Sequence, residues 1–408
     1  MERRSFIRSS SLLGAGALLG VASPANAALP KMKITRIRLY EASGMRENMF
    51  NQSERIVTVE TDAGVMGIGE GGTKDTIEAT AAMIIGQEPA AIEYLWQRMY
   101  RGQFYPAGRE KIHAIGALDL ALWDIKGKAL DVPVYSLLGG PTRKHMECYA
   151  TGFPRTGTVQ ETARACIEAG FRAYRAHGAN PPDGVHYNSR LMIDRIHKYC
   201  QEIREGVGPE GDWAIDFHTR LDLADAIRLC DLIEDLNPYF VEDLVRSENP
   251  GVYRTVREKV DVPIAVGEQF GDRWDINELI EQHLIDYSRV TLPNAGGLTE
   301  FMKIAALCET HYVGLIPHFT GPLSTAALVH ACGSFSGSAL MEMTGDGSKT
   351  YPWLPQVYDF SKGNLLLNDR PGLGVTFDPS QAQMIAEITE PSNSVRGYIR
   401  PDGSYTNW

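Results

Sequence analysis

The sequence has few cysteines, and none of them are closely paired. A zinc knuckle or a small disulfide scaffold needs cysteines at short, regular spacings. The six cysteines are instead scattered along 408 residues, at positions 148, 166, 200, 230, 308 and 332. Most lie in apolar helical patterns, so the sequence excludes both kinds of scaffold and predicts buried free thiols.

The chain also lacks an excess of positive charge and, after its first 30 residues, any apolar run long enough to cross a membrane. Its formal net charge is −11, which excludes a general affinity for nucleic acid or for an anionic membrane. An anionic substrate can still bind where a metal ion or local arginines supply positive charge. With 43% hydrophobic residues, the composition is that of a globular protein with a large core.

Residues 1–27 are typical of an export signal. Arg3 and Arg4 open the chain, an apolar run follows over residues 12–22, and residues 25–27 match a small-residue cleavage site. The paired arginines indicate the twin-arginine route and therefore a periplasmic protein. A membrane anchor is the alternative, but the apolar run is short for a bilayer.

Two patterns divide the remaining chain. Residues 32–140 predict a small α+β domain, in which alternating runs form strands and helical patterns follow. From residue 146 to about 360, short apolar strands alternate with amphipathic helices. The expected strands are 146–152, 172–177, 213–218, 239–243, 263–268, 287–291, 313–318 and 339–343. Eight strands with helices between them predict a closed parallel barrel.

An open, doubly wound sheet is the alternative to the barrel. It is disfavoured because no glycine-rich phosphate loop follows the first strand. The tail, residues 361–408, is rich in Pro, Gly and Asn. We expect this tail to fold back onto the small domain.

Three acidic residues end consecutive predicted barrel strands. Asp216, Glu242 and Glu268 each follow a short apolar run, and they are spaced 26 residues apart. One strand–helix–strand unit has about this length, so the acids should share one level at the C-terminal mouth, where barrel active sites are built. Converging carboxylates repel one another unless a cation binds them, and all-oxygen ligands favour Mg²⁺ over Zn²⁺. Three unrelated surface acids are the alternative, which the shared spacing disfavours.

His218 lies two residues after Asp216. Strand side chains two residues apart face the same way, so we expect this imidazole beside the metal. As an imidazolium it can protonate a leaving hydroxyl and make the reaction an elimination. A histidine of the core is the alternative.

Three further segments resemble the enolase superfamily, in its mandelate-racemase-like branch. They are GIGE at 67–70, ALDLALWDIKGK at 117–128 and PVYSLLGG at 133–140. The resemblance covers residues 32–408 and implies an α+β capping domain over a modified TIM barrel, (β/α)₇β. It also implies that Asp216, Glu242 and Glu268 bind Mg²⁺, which stabilises the ene-diolate formed when the proton next to a substrate carboxylate is removed.

Within that branch, other segments are most similar to mannonate dehydratase and related sugar-acid dehydratases. These segments are VGEQF at 266–270, LIDYSR at 284–289, AGG at 295–297, PGLGV at 371–375 and the final Asn407–Trp408. The resemblance implies a tyrosine base paired with an arginine at the end of the second strand, here Tyr187 and Arg175. A nearby guanidinium lowers the pKa of a phenol. A solvent-facing loop tyrosine is the alternative.

His318 ends the seventh predicted strand and can act as a base or as an acid that helps the leaving group. Many relatives pair this histidine with an aspartate that ends the preceding strand. Thr291 stands at that position here. The resemblance therefore leaves the base open between Tyr187 and His318.

Four more side chains are candidates for holding the substrate. Arg289 would bind a carboxylate or a hydroxyl, and Glu342 on the last strand would hydrogen-bond to the substrate; a structural ion pair is the alternative for each. His177 is close enough to Arg175 to share its face. Asn48 lies in the segment 43–52, which we expect to form a lid over the site.

The sequence therefore predicts a lyase that dehydrates an aldonic or related sugar acid to a 2-keto-3-deoxy acid, with Mg²⁺ as cofactor. The alternatives are a racemase or epimerase at the same carbon and a non-catalytic binding or regulatory homologue. His218 favours elimination, and only Thr291 favours a homologue without catalysis. We expect a small-molecule substrate, a homo-oligomer and no nucleic-acid or membrane partner. The sequence does not determine which sugar acid is used.

Overall fold

The structure is a computed structural model that describes residues 29–45, 54–102, 104–105, 107–181, 183–318, 321–392 and 398–406. The signal segment 1–27, most of the predicted lid with Asn48, and Asn407–Trp408 lie outside the described residues. Export to the periplasm therefore stays a prediction, which sequencing the N-terminus of the mature protein would test. All six cysteines are described, and each is buried and free, as predicted. Within the described ranges, none of the helices is both long and apolar enough to cross a membrane.

The N-terminal part of the chain forms a sheet covered by helices. Its elements are β1 (Ile34–Glu41), β2 (Ile56–Thr61), β3 (Met66–Glu70), α1 (Lys74–Ala81), α2 (Ile92–Arg101), α3 (Gly108–Leu130) and α4 (Val134–Leu137). The first three strands pair antiparallel in sequence order. The buried side chains of these strands pack on α1, α2 and α3 around a core of their own.

Eight strands in the described chain alternate with helices and form the barrel. In chain order, the strands and helices of the barrel are β4 (His145–Thr151), α5 (Val159–Glu168), β5 (Ala173–His177), α6 (Ser189–Val207), β6 (Asp212–Asp216), α7 (Leu223–Ile233), β7 (Phe240–Glu242), α8 (Tyr253–Arg257), β8 (Ile264–Val266), α9 (Arg273–Glu281), β9 (Tyr287–Ser288), α10 (Leu292–Ala295), α11 (Leu298–Thr310), β10 (Gly314–Leu315), α12 (Pro322–Ser334) and β11 (Met341–Met343). Neighbouring strands from β4 to β10 pair in parallel.

The sheet closes on itself at β11. This strand pairs in parallel with β4, and Leu340 N donates to Leu315 O at 3.0 Å, which joins it to β10. The predicted α/β class, a modified TIM barrel with a capping domain, is confirmed. The tail adds β12 (Asp359–Ser361), β13 (Asn364–Leu366) and β14 (Gln383–Ile388). Of these, β13 pairs with β4 and β14 with β1, so the tail contacts both the barrel and the cap.

The interior of the barrel has an apolar layer below a charged one. The apolar layer consists of Tyr149, Ala173, Ala214, Phe240, Ala265, Ile316 and Leu340. Two residues further along β5, β7 and β11, the strand alternation brings Arg175, Glu242 and Glu342 into the bore. The apolar layer keeps water from reaching these charges from below, so they must be satisfied by one another.

Close packing of β3 on α3 explains the GIGE segment. A Cβ atom at Gly67 would lie 2.0 Å from the carbonyl oxygen of Ala121, and one at Gly69 would lie 1.8 Å from that of Ala117. Only glycine lets this strand approach the helix backbone so closely. The approach places Glu70, the last residue of β3, at the junction of cap and barrel.

Glu70 links the cap to the N-terminus of barrel helix α12. Its carboxylate accepts hydrogen bonds from Leu323 N and from Ser324 Oγ, both at 2.9 Å. Burial and repulsion by Glu54 raise the pKa of Glu70 to about 8. In an unfolded chain this pKa is about 4.3. The folded state therefore binds the proton more tightly, and the stability it gains is full below pH ~4.3 and is lost as the pH rises through about 8.

We expect the melting temperature of the wild type to fall between pH 5 and 8, and Glu70→Gln to flatten that fall because the group no longer titrates. Thermal unfolding at several pH values measures both slopes. Glu78→Gln is the control, because Glu78 is an exposed acid that pairs with Lys74 at 3.9 Å. Equal slopes for wild type and Glu70→Gln would show that Glu70 is ionised in the folded state throughout.

Candidate active site

Asp216, Glu242 and Glu268 meet at the C-terminal mouth of the barrel. Asp216 ends β6 and Glu242 ends β7, and the two residues are register partners. Glu268 follows β8, and one of its oxygens lies within 4.8 Å of an oxygen of Glu242. Asp216 and Glu242 are fully buried, whereas the Glu268 side chain is 13% exposed. Glu242 and Glu268 therefore belong to one group of acids that could hold a cation, and Asp216 lies beside that group as the register partner of Glu242. Glu268 is the most exposed of the three.

Two buried arginines contact these acids from inside the bore. Arg175 donates to Glu242 from Nε at 2.9 Å and from Nη2 at 2.8 Å, and to Asp216 Oδ2 from Nη2 at 2.7 Å. Arg289 pairs with Glu242 from the other side, with Nε 2.6 Å from Oε1. Removing one member of such a buried network leaves an uncompensated charge.

The acids differ in how easily they ionise. Burial raises the pKa of Glu242 to about 8, although Arg175 and Arg289 oppose the shift. For Asp216, burial is outweighed by Arg175 and His177, which lower its pKa to about 2. A divalent cation at the mouth would favour the ionised form of both. This cluster of acids is therefore better suited to binding a cation than to remaining without one.

The structure corrects the prediction that Arg289 and Glu342 hold the substrate. Arg289 Nη2 donates to Glu342 Oε2 at 2.9 Å, and Nη1 contacts the hydroxyl of Tyr149. Glu342 also accepts from Thr151 Oγ1 at 2.6 Å and from Arg175 Nη1 at 3.5 Å. Both side chains are buried, Arg289 completely and Glu342 with 4% of its side chain exposed. They form the structural ion pair that was the alternative.

The predicted pair of Tyr187 and Arg175 is wrong. The Tyr187 hydroxyl donates to Asp225 Oδ2 at 2.6 Å, and the residue is 43% exposed. Burial and the Asp225 carboxylate raise the pKa of Tyr187, the opposite of what an activated phenolate needs. The loop after β5 carries Tyr187 outward to α7, while Arg175 stays on its strand inside the bore. The solvent-facing loop tyrosine was the correct alternative.

Two histidines contact opposite oxygens of Glu268. His218 Nε2 lies 3.5 Å from Oε1, and His318 Nε2 lies 3.3 Å from Oε2. Both side chains are partly exposed, His218 by 32% and His318 by 21%. The backbone of His218 is left-handed, with φ of 50°, so this residue lies beyond the end of β6. Two imidazoles therefore lie beside the same carboxylate.

Thr291 stands where many relatives have an aspartate, and its side chain contacts His318. Its Oγ1 lies 3.1 Å from His318 Nδ1. This contact orients the ring so that Nε2 faces Glu268 and the mouth. Burial lowers the pKa of His318, with Glu268 and Glu342 opposing the shift. The histidine thus has an orienting partner, although that partner carries no charge.

His177 also reaches the mouth. Its Nδ1 lies 2.9 Å from Asp216 Oδ2, and its ring meets that of His218 edge to face, with the centroids 5.6 Å apart. The side chain is 49% exposed. It holds Asp216, and its contact with a substrate stays a prediction.

Sequence reasoning missed two residues of the site. Asp243 directly follows Glu242, but strict strand alternation points it away from the bore. Its backbone is left-handed, with φ of 45°, so alternation fails there. Asn294, on α10, donates from Nδ2 to the Glu268 carbonyl at 2.7 Å and contacts His113 of α3. The two adjacent acids in FVED were a visible signal for Asp243, whereas nothing in the sequence pointed to Asn294.

The family models agree with this architecture. Residues 158–381 match the enolase C-terminal domain-like family, and residues 43–139 match the N-terminal domain of mandelate racemase and muconate lactonizing enzyme. The C-terminal match alone covers more than half of the chain. The chain therefore belongs to the enolase superfamily, in the branch of mandelate racemase and muconate lactonizing enzyme.

Similar proteins indicate the class of reaction within this superfamily. The chain is 33% identical over 395 residues to a D-galactonate dehydratase of Xanthomonas oryzae, covering 92% of this chain and 100% of that relative. A member of the enolase superfamily from Salmonella Typhimurium superposes with a TM-score of 0.80 at 25% identity, over 88% of this chain and 100% of that one. An enolase from Pantoea ananatis, with bound D-gluconate and Mg, gives 0.75 at 25% identity, over 86% and 94%. The predicted hydro-lyase class is confirmed, and the curated relative is named for galactonate, not mannonate.

Proposed function

We propose that this protein is a Mg²⁺-dependent dehydratase that converts an aldonic or related sugar acid into a 2-keto-3-deoxy acid. The observation that carries the proposal is the pair of imidazoles, His218 and His318, on opposite oxygens of Glu268. An elimination needs one group to remove a proton and another to protonate the departing hydroxyl. The two histidines supply both within one mouth.

The acids of the mouth would hold the cation. Glu268, Glu242 and Asp216 offer carboxylate oxygens, the ligand type that Mg²⁺ prefers. Asp216 Oδ1 accepts a hydrogen bond from His218 N at 2.6 Å and keeps a second lone pair, whereas both lone pairs of Oδ2 are engaged by Arg175 and His177. When bound, Mg²⁺ would stabilise the negative charge that develops on the substrate carboxylate.

The protein groups would then divide the reaction as follows. His318 accepts the proton from C2 through Nε2, while Thr291 holds its other nitrogen. His218 donates a proton to the C3 hydroxyl, which leaves as water. The resulting enol becomes the 2-keto-3-deoxy acid by taking a proton at C3 and losing the proton of its C2 hydroxyl. Proton removal and loss of the hydroxyl thus use different residues on two sides of Glu268.

The relatives suggest which sugar acids to try first. The curated relative is named for D-galactonate, and the Pantoea structure contains D-gluconate. We propose an aldonic acid of this kind as substrate. The lid that would distinguish between stereoisomers falls largely outside the described residues, so the preferred isomer is a matter for experiment.

A sugar-acid library tests the proposal. The purified protein with Mg²⁺ should produce a 2-keto acid from at least one aldonic acid, detected as a semicarbazone by absorbance. D-galactonate, D-gluconate and D-mannonate should be included. A chain that binds Mg²⁺ and turns over none of the library would contradict the function.

The same library separates dehydration from epimerisation. Two imidazoles flanking one position would also suit a two-base exchange at C2, the alternative activity. An epimerase would change the stereochemistry at C2 and release no keto acid.

Self-assembly into a homo-oligomer stays a prediction, which light scattering would test.

A further inference from the structure

Asp243 is a buried acid next to the proposed cation site, and the catalytic steps above do not use it. It follows Glu242 at the end of β7 and is 2% exposed. Its backbone is held on two sides, since Asp243 N donates to Ala265 O at 3.2 Å and Asp243 O accepts from Thr219 N at 2.8 Å. The position of this side chain is therefore fixed by the barrel.

One oxygen of this carboxylate has no partner in the described structure. Asp243 Oδ2 is buried and makes no hydrogen bond to any described residue. The arginines nearby are engaged elsewhere, since Arg175 pairs with Asp216, Glu242 and Glu342, and Arg289 pairs with Glu242 and Glu342. A buried carboxylate oxygen without a partner is costly.

The carboxylate also faces like charges. An Asp243 oxygen, an oxygen of Glu242 and an oxygen of Glu268 all lie within 4.8 Å of one another. Three convergent oxygens at this separation are the arrangement in which a hard cation would relieve both the repulsion and the missing contact.

We propose that Asp243 is a further carboxylate of the divalent-cation site, with Oδ2 contacting the cation or a water in its coordination shell. The inference rests on the proposed function, because it adds a ligand group to the cation that the dehydration needs. It assigns the unpartnered oxygen a role and explains why Asp243 follows Glu242 in a left-handed turn that aims the acid at its neighbours.

Isothermal titration of the purified full-length protein with MgCl₂ tests the inference. Asp243→Asn keeps the shape and tolerates the left-handed backbone. It should raise the Mg²⁺ dissociation constant by about 10- to 100-fold, the loss of affinity typical when a group that supports a metal from its outer shell is removed. The control is Asp225→Asn, which removes one negative charge from the same end of the barrel and should bind Mg²⁺ within about threefold of wild type.

Thermal unfolding in EDTA separates cation binding from support of the fold. Asp243→Asn should be at least as stable as wild type there, because it removes an uncompensated buried acid. Unchanged Mg²⁺ affinity in this variant, or a loss of stability in EDTA, would overturn the inference. If the variant does not fold at all, Asp243→Glu decides in its place, with weakened affinity in support and unchanged affinity against. A wild type without any Mg²⁺ binding would overturn the proposed function as well.

Discussion

Replacing His318 with asparagine should lower dehydration of the preferred sugar acid by about 10²–10⁴-fold, the usual loss when a general base is removed. The structure places His318 Nε2 3.3 Å from Glu268, and Thr291 orients the ring from the other side. The loss should fall on kcat, with Mg²⁺ affinity kept within a few-fold. Steady-state kinetics and calorimetry on the same preparation measure both.

Tyr187→Phe is the matched control for the base. Its hydroxyl donates to Asp225 at 2.6 Å on the outside of the mouth, so we expect activity within a few-fold of wild type. His218→Asn should also lose dehydration, but it should still exchange the C2 proton with solvent, because proton removal precedes loss of the hydroxyl. Full activity in His318→Asn together with a large loss of activity in Tyr187→Phe would show that Tyr187, and not His318, is the base.

Glu268→Gln should abolish turnover and weaken Mg²⁺ binding by at least about 100-fold, more than the loss expected of an outer-shell group. Glu268 is the most exposed of the three acids and touches both histidines, at 3.5 and 3.3 Å. Its replacement should leave the fold intact, because Arg175 and Arg289 pair with Glu242 and not with Glu268. Calorimetry measures the Mg²⁺ affinity of this variant, and thermal unfolding checks that its fold is intact.

Glu248→Gln provides the control, since Glu248 is an exposed acid of the loop after β7 that pairs with Arg246 at 2.6 Å. Glu242→Gln should behave differently from Glu268→Gln. It would remove one of the two buried carboxylates, Glu242 and Glu342, that Arg175 and Arg289 share, a change that typically costs about 3–5 kcal/mol. Normal Mg²⁺ affinity in Glu268→Gln would show that the cation does not bind at this mouth.

The sequence predicted the parts of the site that depend on the repeating strand–helix unit. Asp216 and Glu242 ended up as register partners because a constant spacing between strand ends gives a constant height in a barrel. His218 and His318 were also identified from their positions near strand ends, two residues after β6 and three residues after β10. This information is periodic and local, so one sequence is enough to read it.

The sequence could not predict which charges pair inside the bore. Alternation indicates that Arg175 faces inward, but only the packed barrel shows that it reaches Glu242 and Asp216 and not Tyr187. The position of Tyr187 beyond β5 decided that outcome, and loop residues follow no regular period. Asp243 was not predicted as a site residue because its left-handed backbone, with φ of 45°, breaks the strand alternation on which the prediction relied.

The central claim is that one mouth removes the C2 proton and expels the C3 hydroxyl of a sugar acid. Proton NMR of the wild-type reaction in D₂O with Mg²⁺ and the substrate found in the library tests it most directly. We predict a 2-keto-3-deoxy acid that carries one solvent deuterium at C3, formed together with the loss of the C2 proton signal. Recovery of the sugar acid with deuterium at C2 and no keto acid, or with no deuterium at all, would contradict the account.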